Sequence, residues 1–355
     1  MAGAATASPR RTSLWNLACR NPARALLLVL AAVSLLAGLA TRSSPPPHLR
    51  FADSHTPGDG ALYAEVVAAV AAGAPYYHTA VQLHRQHGYP LRPFVTVRPP
   101  SLALASAALG PVGTLALALA LIAANALAWY NRLRDQPKLL RFGALAAMSA
   151  LGAAGLSPDV LAMHEWWSGL LLSLALGLDP LRRFAPAVAC AVAATLVREL
   201  AVAFLLALLA VELHRRAWPR VAVLAATLVV LALLLLLHEQ AITAFVRPDD
   251  VASPGWLGLR GPLGFARDFA VLLGIDHWPT AVSVFLAFSP LVGWLALRRA
   301  LGPLPLVWFG PFALLEGFLA RADNWYWVQL ILPAYLLGWL FALMALLPRS
   351  PLPTD

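Results

Sequence analysis

Apolar residues in this chain gather in long runs separated by short polar breaks, the pattern of helices that live in hydrocarbon. A bilayer core about 30 Å thick asks for about 20 consecutive apolar residues. Ten runs approach that requirement: 24–41, 101–129, 140–156, 161–178, 184–197, 200–213, 221–237, 279–297, 301–319 and 326–347. The pattern predicts an all-α integral membrane protein of about ten transmembrane helices. It reads as one bundle over 24–347, between short tails at 1–23 and 348–355. The longest polar interruption, 42–100, separates the first two runs, and a second lies at 238–277. Within the first, Ala61–Ala72 reads as a short interfacial helix, with Asp59 near its start and Gly73 at its end.

The run 184–213 is almost unbroken and carries no Gly. As one helix it would be about 45 Å long, too long for the bilayer core, and it would place Arg182 and Arg183 opposite Arg215 and Arg216. A break at Val197-Arg198-Glu199-Leu200 resolves both conflicts and sets Arg198 and Glu199 at a surface.

Composition agrees with the pattern. Of 355 residues, 60% are hydrophobic and only 12% charged, which excludes a disordered chain and an ordinary soluble domain. Basic residues mark the cytoplasmic side of a membrane protein. Alternate polar breaks, with the two tails, hold 16 of the 26 Lys and Arg but 4 of the 17 acids. The net charge of +9 is therefore a topology signal and not a nucleic-acid signal. It places both termini in the cytoplasm and the segments 42–100 and 238–277 outside. One Lys against 25 Arg is the bias of a GC-rich bacterial genome and points to a bacterial inner (plasma) membrane. The first apolar run is read as a retained span. Cys19 and Cys190 lie in the N-terminal tail and in a span, with no metal spacing.

The outer face gathers the polar chemistry. It holds Asp53, Asp59, Tyr63, Tyr76-Tyr77 and Arg98 in the first segment, then His164-Glu165, Arg198-Glu199, and Arg321. In 238–277, Phe265, Phe269, Leu272 and Leu273 recur at helical spacing beside Arg267 and Asp268, a pattern suited to an interfacial helix. An acid in a cleft can deprotonate a hydroxyl, and Arg holds phosphate oxygens in a fork. Together they fit transfer of a group from a lipid-phosphate donor.

These residues carry a resemblance. An acid soon after the first span (Asp59), a following Tyr63, Gly73 with Tyr76-Tyr77, and Pro99-Pro100 opening the second span are similar to the type C superfamily of membrane glycosyltransferases. So are a second acid before the fourth span (Glu165), a cation at the end of the fifth (Arg198), and Leu332-Pro333-Ala334-Tyr335 after Arg321. The resemblance implies a polyprenyl-phosphate sugar donor, a glycan, lipid or protein acceptor, and inverting transfer outside the cell. It implies Asp59 as base, with Asp53 as rival, and Glu165 as orienting acid. Arg98 and Arg198 lie at membrane edges where a lipid phosphate would sit and read, with Arg321, as phosphate contacts, although an aromatic is common in the family where Arg98 stands; Tyr63 and Tyr77 read as substrate contacts. The first loop lacks an adjacent acidic pair or Asp-x-Asp, so a divalent metal is without support.

Each residue also has a plainer reading. Asp59 between two glycines suits a helix cap. Glu165 suits a helix N-terminus. Arg98, Arg198 and Arg321 suit snorkelling to headgroups. Arg50, Arg85 and Arg92 read as ordinary loop charges, and Asp249-Asp250 as a solvated turn. His78, His84 and His87 match no zinc spacing. Glu316, inside a span, must face the bundle or a wet cavity, because a charge at a helix centre costs about 2.5–3.5 kcal/mol. The alternative function is a multi-spanning transporter or lipid-linked sugar flippase. Against it stands the absence of an internal repeat or of matched Gly/Pro-broken spans.

Overall fold

The computed structural model describes residues 22–41 and 58–346. Asp53 and Arg50 lie outside the described residues. The described chain is helical, with no strand; one isolated parallel bridge joins Arg92 to Ala252. In chain order the helices are α1 (Pro22–Thr41), α2 (Asp59–Ala71), α3 (Tyr76–Gln86), α4 (Ser101–Arg132), α5 (Lys138–Ala154), α6 (Pro158–Leu161), α7 (His164–Gly177) and α8 (Phe184–Val197). They continue as α9 (Val202–His214), α10 (Trp218–Thr243), α11 (Gly261–Leu272), α12 (Thr280–Ala296), α13 (Arg298–Leu301), α14 (Leu304–Leu319), α15 (Leu332–Tyr335) and α16 (Leu337–Leu346). Short 3-10 turns occupy Phe94–Thr96, Glu199–Ala201 and Ala322–Leu330.

Among the described residues, three helical stretches are long and apolar enough to cross a membrane: Pro22–Thr41, Phe94–Arg132 and Trp218–Thr243. The pair Ala322–Leu330 and Leu332–Leu346, bent by 68°, adds a fourth if taken as one span. The other apolar runs form shorter helices of 13 to 17 residues. Their ends are set by turns that fall at the predicted polar breaks. Asp179 and Arg216 take left-handed backbone (φ 62° and 55°), and Gly302 does so at φ 82°. Leucine and valine rows on α1 and α10 stay uncovered by protein, as helices facing hydrocarbon do.

The core lies where α4, α12, α14 and α16 meet. Trp294 packs edge-on against Phe341 at 4.8 Å and close to Phe309 at 5.4 Å. Backbone contact between α12 and α16 requires glycine on both sides. A Cβ on Gly293 would lie 1.8 Å from the Gly338 carbonyl oxygen, and one on Gly338 2.3 Å from that of Pro290. Such small-residue crossings are how apolar helices pack when burial alone does not drive them together. Helix α11 differs from the interfacial expectation. Its Phe265 and Phe269 are fully buried, each 6.1 Å from the Tyr335 ring, because the bundle offers that face an aromatic pocket.

Two breaks position the polar residues. Helix α8 stops at Val197; Arg198 is extended (φ −144°, ψ 113°), and Glu199–Ala201 turns into α9. Helix α4 breaks at Gly110, whose φ of 66° and ψ of 177° are not helical, just before Pro111. Proline cannot donate to the preceding turn, so the two halves of α4 meet at an angle that only glycine accommodates.

Candidate functional site

Helices α2 and α3 form a hairpin: α2 ends at Gly73 (φ 95°) and α3 returns along it. The hairpin sets the N-terminus of α2 against α6, where a Cβ on Gly60 would sit 2.9 Å from the Asp159 carbonyl oxygen. Gly58 is the N-cap of α2, without a side-chain cap bond, and Asp59 is the first helical residue. The Asp59 carboxyl therefore does not cap its helix. It is half-buried, and burial pushes its pKa above the ordinary carboxylate value, against the opposing pull of Arg98 and a hydrogen bond with Tyr89.

One turn on, Tyr63 is buried, its ring meeting His164 edge-on at 4.7 Å. The Arg98 guanidinium stands 5.8 Å from the centre of the same ring, within cation–π range. Arg98 is held from behind, since the Tyr76 hydroxyl donates to its carbonyl at 2.7 Å. Its own donors are loosely placed, with Nη2 3.4 Å from the Tyr326 hydroxyl and 3.5 Å from Glu165 Oε1.

Glu165, the second residue of α7, is fully buried. Its Oε1 accepts from Arg198 Nε at 2.6 Å, while Oε2 has no hydrogen-bond partner among the described residues. Arg198 also pairs with Glu199 and stands 6.0 Å from the centre of the Trp327 ring. Glycine again permits the approach: a Cβ on Gly169 would lie 2.1 Å from the Gln329 carbonyl oxygen, so α7 runs directly against the turn carrying Tyr326 and Trp327. Two buried guanidiniums thus share one buried carboxylate. Removing one member of such a group leaves an uncompensated charge, at a cost of about 3–5 kcal/mol.

The structure brings Asp59, Tyr63, Arg98, Glu165 and Arg198 to one place and leaves two predicted residues apart. Tyr77 faces α10, its hydroxyl 3.3 Å from His238 Nδ1, while His238 Nε2 donates to the Val97 carbonyl at 3.1 Å. Arg321 is committed to its own neighbourhood, donating to Ser253 Oγ at 3.0 Å and the Gly255 carbonyl at 2.7 Å and pairing with Asp323 at 2.8 Å. Sequence reasoning missed Tyr89, Tyr326 and Trp327 as members of this neighbourhood. Their aromatic character signalled only membrane depth.

Three plain readings are corrected. Asp250 is not a solvated turn acid. It is buried, and Arg85 grips both its oxygens at 2.6 and 2.8 Å. Arg92 donates to its carbonyl at 2.6 Å. Arg85 and Arg92 are therefore not idle loop charges; they fasten 58–100 to the 238–277 segment, and Arg85 with the Arg247 amide draws the Asp250 carboxyl down to about 2. The histidines diverge: His78 meets the Phe245 ring, His84 donates to the Ala80 carbonyl at 2.7 Å, and His87 pairs with Glu65 at 2.8 Å. Burial lowers His84 to about 4. Among the described residues, no three His, Cys, Asp or Glu side chains stand together to hold a metal.

Beside the cluster is a cavity of about 20 Å³ lined by Tyr63, Tyr76, His84, Arg98 and His164, about the size that holds one water. A larger groove of about 460 Å³ lies between Arg92, Phe94, Glu239 and Arg247. Both ring nitrogens of buried His164 lack a partner among the described residues. Comparison of the chain with protein-family models, with curated proteins and with solved structures gives no match.

Proposed function

We propose that this protein is a membrane glycosyltransferase that takes a sugar from a polyprenyl-phosphate donor and places it on an acceptor hydroxyl outside the cytoplasm. In this reading the chain crosses a bacterial inner membrane about ten times, with both termini inside. The observation that supports it is the meeting of Asp59, Arg98, Glu165 and Arg198 from four separate segments. A base with a raised pKa beside an under-bonded guanidinium matches the two demands of the reaction.

Asp59 takes the acceptor hydroxyl proton as that oxygen bonds to the anomeric carbon. The bond from that carbon to the phosphate oxygen breaks, and the phosphate leaves with its electron pair beside Arg98. One displacement inverts the anomeric centre. Glu165 fixes Arg98 relative to Arg198. A sugar needs a site of several hundred Å³, larger than the 20 Å³ cavity beside the cluster, so in this reading donor binding requires the site to open.

A second reading, a transporter or flippase of lipid-linked sugars, draws on the broken helix α4 and the 68° bend before α15, since broken helices frame many transport sites. Purified protein given a labelled polyprenyl-phosphate sugar separates the two. Covalent product that disappears in Asp59→Asn supports transfer; substrate counterflow without product supports transport.

A further inference from the structure

The segment from Ser253 to α11 lies as a strap across the end of α14. Leu259 N donates to the Phe318 carbonyl at 2.9 Å, and Gly258 N to that of Leu319 at 3.3 Å. The fit leaves no room for side chains: a Cβ on Gly258 would lie 2.0 Å from the Ala320 oxygen, and one on Gly317 2.4 Å from that of Gly261. Arg260 completes the seam, with Nε donating to the Ala320 carbonyl at 2.8 Å. Its fork holds both oxygens of buried Asp268, Nη1 to Oδ1 at 2.8 Å.

Glu316, one turn before the end of α14, is fully buried beneath this seam. Neither of its oxygens receives a hydrogen bond from a donor among the described residues. The group it meets is the Asp268 carboxyl, whose oxygens Arg260 already occupies. Two carboxyls therefore face each other with one guanidinium between them in charge. Like-charged carboxylates at contact cannot both ionise.

We propose that Glu316 and Asp268 form a proton-binding site, in which one proton held between the two carboxyls closes the strap over α14. Loss of that proton leaves Arg260 as the one guanidinium hydrogen-bonded to the pair, facing two carboxylates, and opens the seam. Other charges facing the pair are few. Arg267 lies on α11, and Asp323 acts on Arg260 from the 322–330 turn. Helix α12 carries no titratable side chain, and Glu212 of α9 is bonded to Arg220 at the helix's far end. The 322–330 turn also bears Tyr326 and Trp327, which touch Arg98 and Arg198. Proton occupancy is thereby linked to the shape of the candidate site.

The test follows strap opening in the full chain, in detergent or nanodiscs, by limited proteolysis within 251–263 between about pH 6 and about pH 9. One proton sets the limit at about a tenfold change in the open population per pH unit. Wild type is expected to be cleaved faster as pH rises. Glu316→Gln, which keeps a neutral donor, is expected to be flat. Infrared spectra at neutral pH provide a second measurement that needs no strap motion: wild type should show a protonated-carboxyl band that Glu316→Gln lacks. A shared pH profile in the two proteins overturns the proposal, as does absence of that band in wild type. A wild-type profile that follows sodium or potassium at fixed ionic strength also overturns it, in favour of a cation site.

Discussion

Glu165 and Arg198, 33 residues apart in the chain, meet at 2.6 Å with both side chains almost wholly out of solvent. The break between α8 and α9 makes this possible: a continuous helix would carry Arg198 past α7 with its side chain on the helix wall. The pair in turn limits Arg98, whose nearest approach to Glu165 is 3.5 Å.

Glu165→Ala should destabilise the protein by about 3–5 kcal/mol, because it takes the buried carboxylate from Arg98 and leaves Arg198 with Glu199 only. Glu165→Gln should be less severe, since its amide oxygen still accepts from Arg198. Thermal unfolding in detergent of both variants, with an Arg198→Met double-mutant cycle, measures the coupling.

Asp59→Asn should leave expression and membrane insertion intact, with a melting temperature at or above wild type, while abolishing transfer. The Asp59 carboxyl makes no cap bond, and its burial disfavours the charged form. Turnover retained in this variant removes Asp59 from the role of base.

Two pH effects share one physical origin, burial that disfavours the charged form, and run in opposite directions. Burial raises Asp59 above its ordinary value of 3.8, and the base must be ionised. The acid limb of kcat/KM should therefore lie above the ordinary aspartate range, with activity rising as pH rises through it. The same group costs stability once pH exceeds 3.8, because the unfolded chain ionises first. His84 is the reverse case, a base lowered from 6.5 to about 4 by burial. Its neutral form supports the fold fully above 6.5, and that support is lost as pH falls toward about 4, on the order of 3 kcal/mol. Stability curves for wild type and His84→Gln should diverge in that window.

Asp250→Asn should loosen the connection between the 58–100 and 238–277 segments, because it weakens the Arg85 fork. A loss of about 1–3 kcal/mol is expected, read as a lower melting temperature and faster proteolysis near Arg92. Arg85→Lys should recover only part of it, since a point charge cannot grip two oxygens.

Gly293→Ala should prevent correct packing, since its Cβ would overlap the Gly338 carbonyl at 1.8 Å. Gly310→Ala on α14 meets nothing within 4 Å and should be neutral or stabilising by up to about 1 kcal/mol. Yields of folded protein by size exclusion distinguish the two.

The helical class and the break at Arg198 were legible in the sequence, because apolar runs and charge alternation respond directly to the bilayer. For Asp59, Arg98 and Glu165 the charge alternation reached as far as a shared outer face, and not which of them touch. Periodicity reports which face of a helix is apolar and not which helices touch. Asp250 shows the limit most plainly. Its local sequence, Arg247-Pro248-Asp249-Asp250, has turn composition, and the partner that buries it is Arg85, 165 residues away. Tyr77 and Tyr76 were indistinguishable as a pair; the rotation of α3 assigns one to Arg98 and the other to His238. The positions of the shorter helices follow the apolar runs, but at 13 to 17 residues they fall below the roughly 20 that a bilayer core asks for.

The break in α4 has a geometric consequence for where the chemistry stands. From Pro111 to Arg132 the helix rises roughly 33 Å, which by itself matches a hydrocarbon core of about 30 Å. The nine residues before Gly110, roughly 14 Å of helix, leave that axis at the angle Gly110 sets. They bury Leu102 and Ala103 against the bundle, so the surplus length fixes the segment carrying Arg98 to its neighbours instead of extending the crossing.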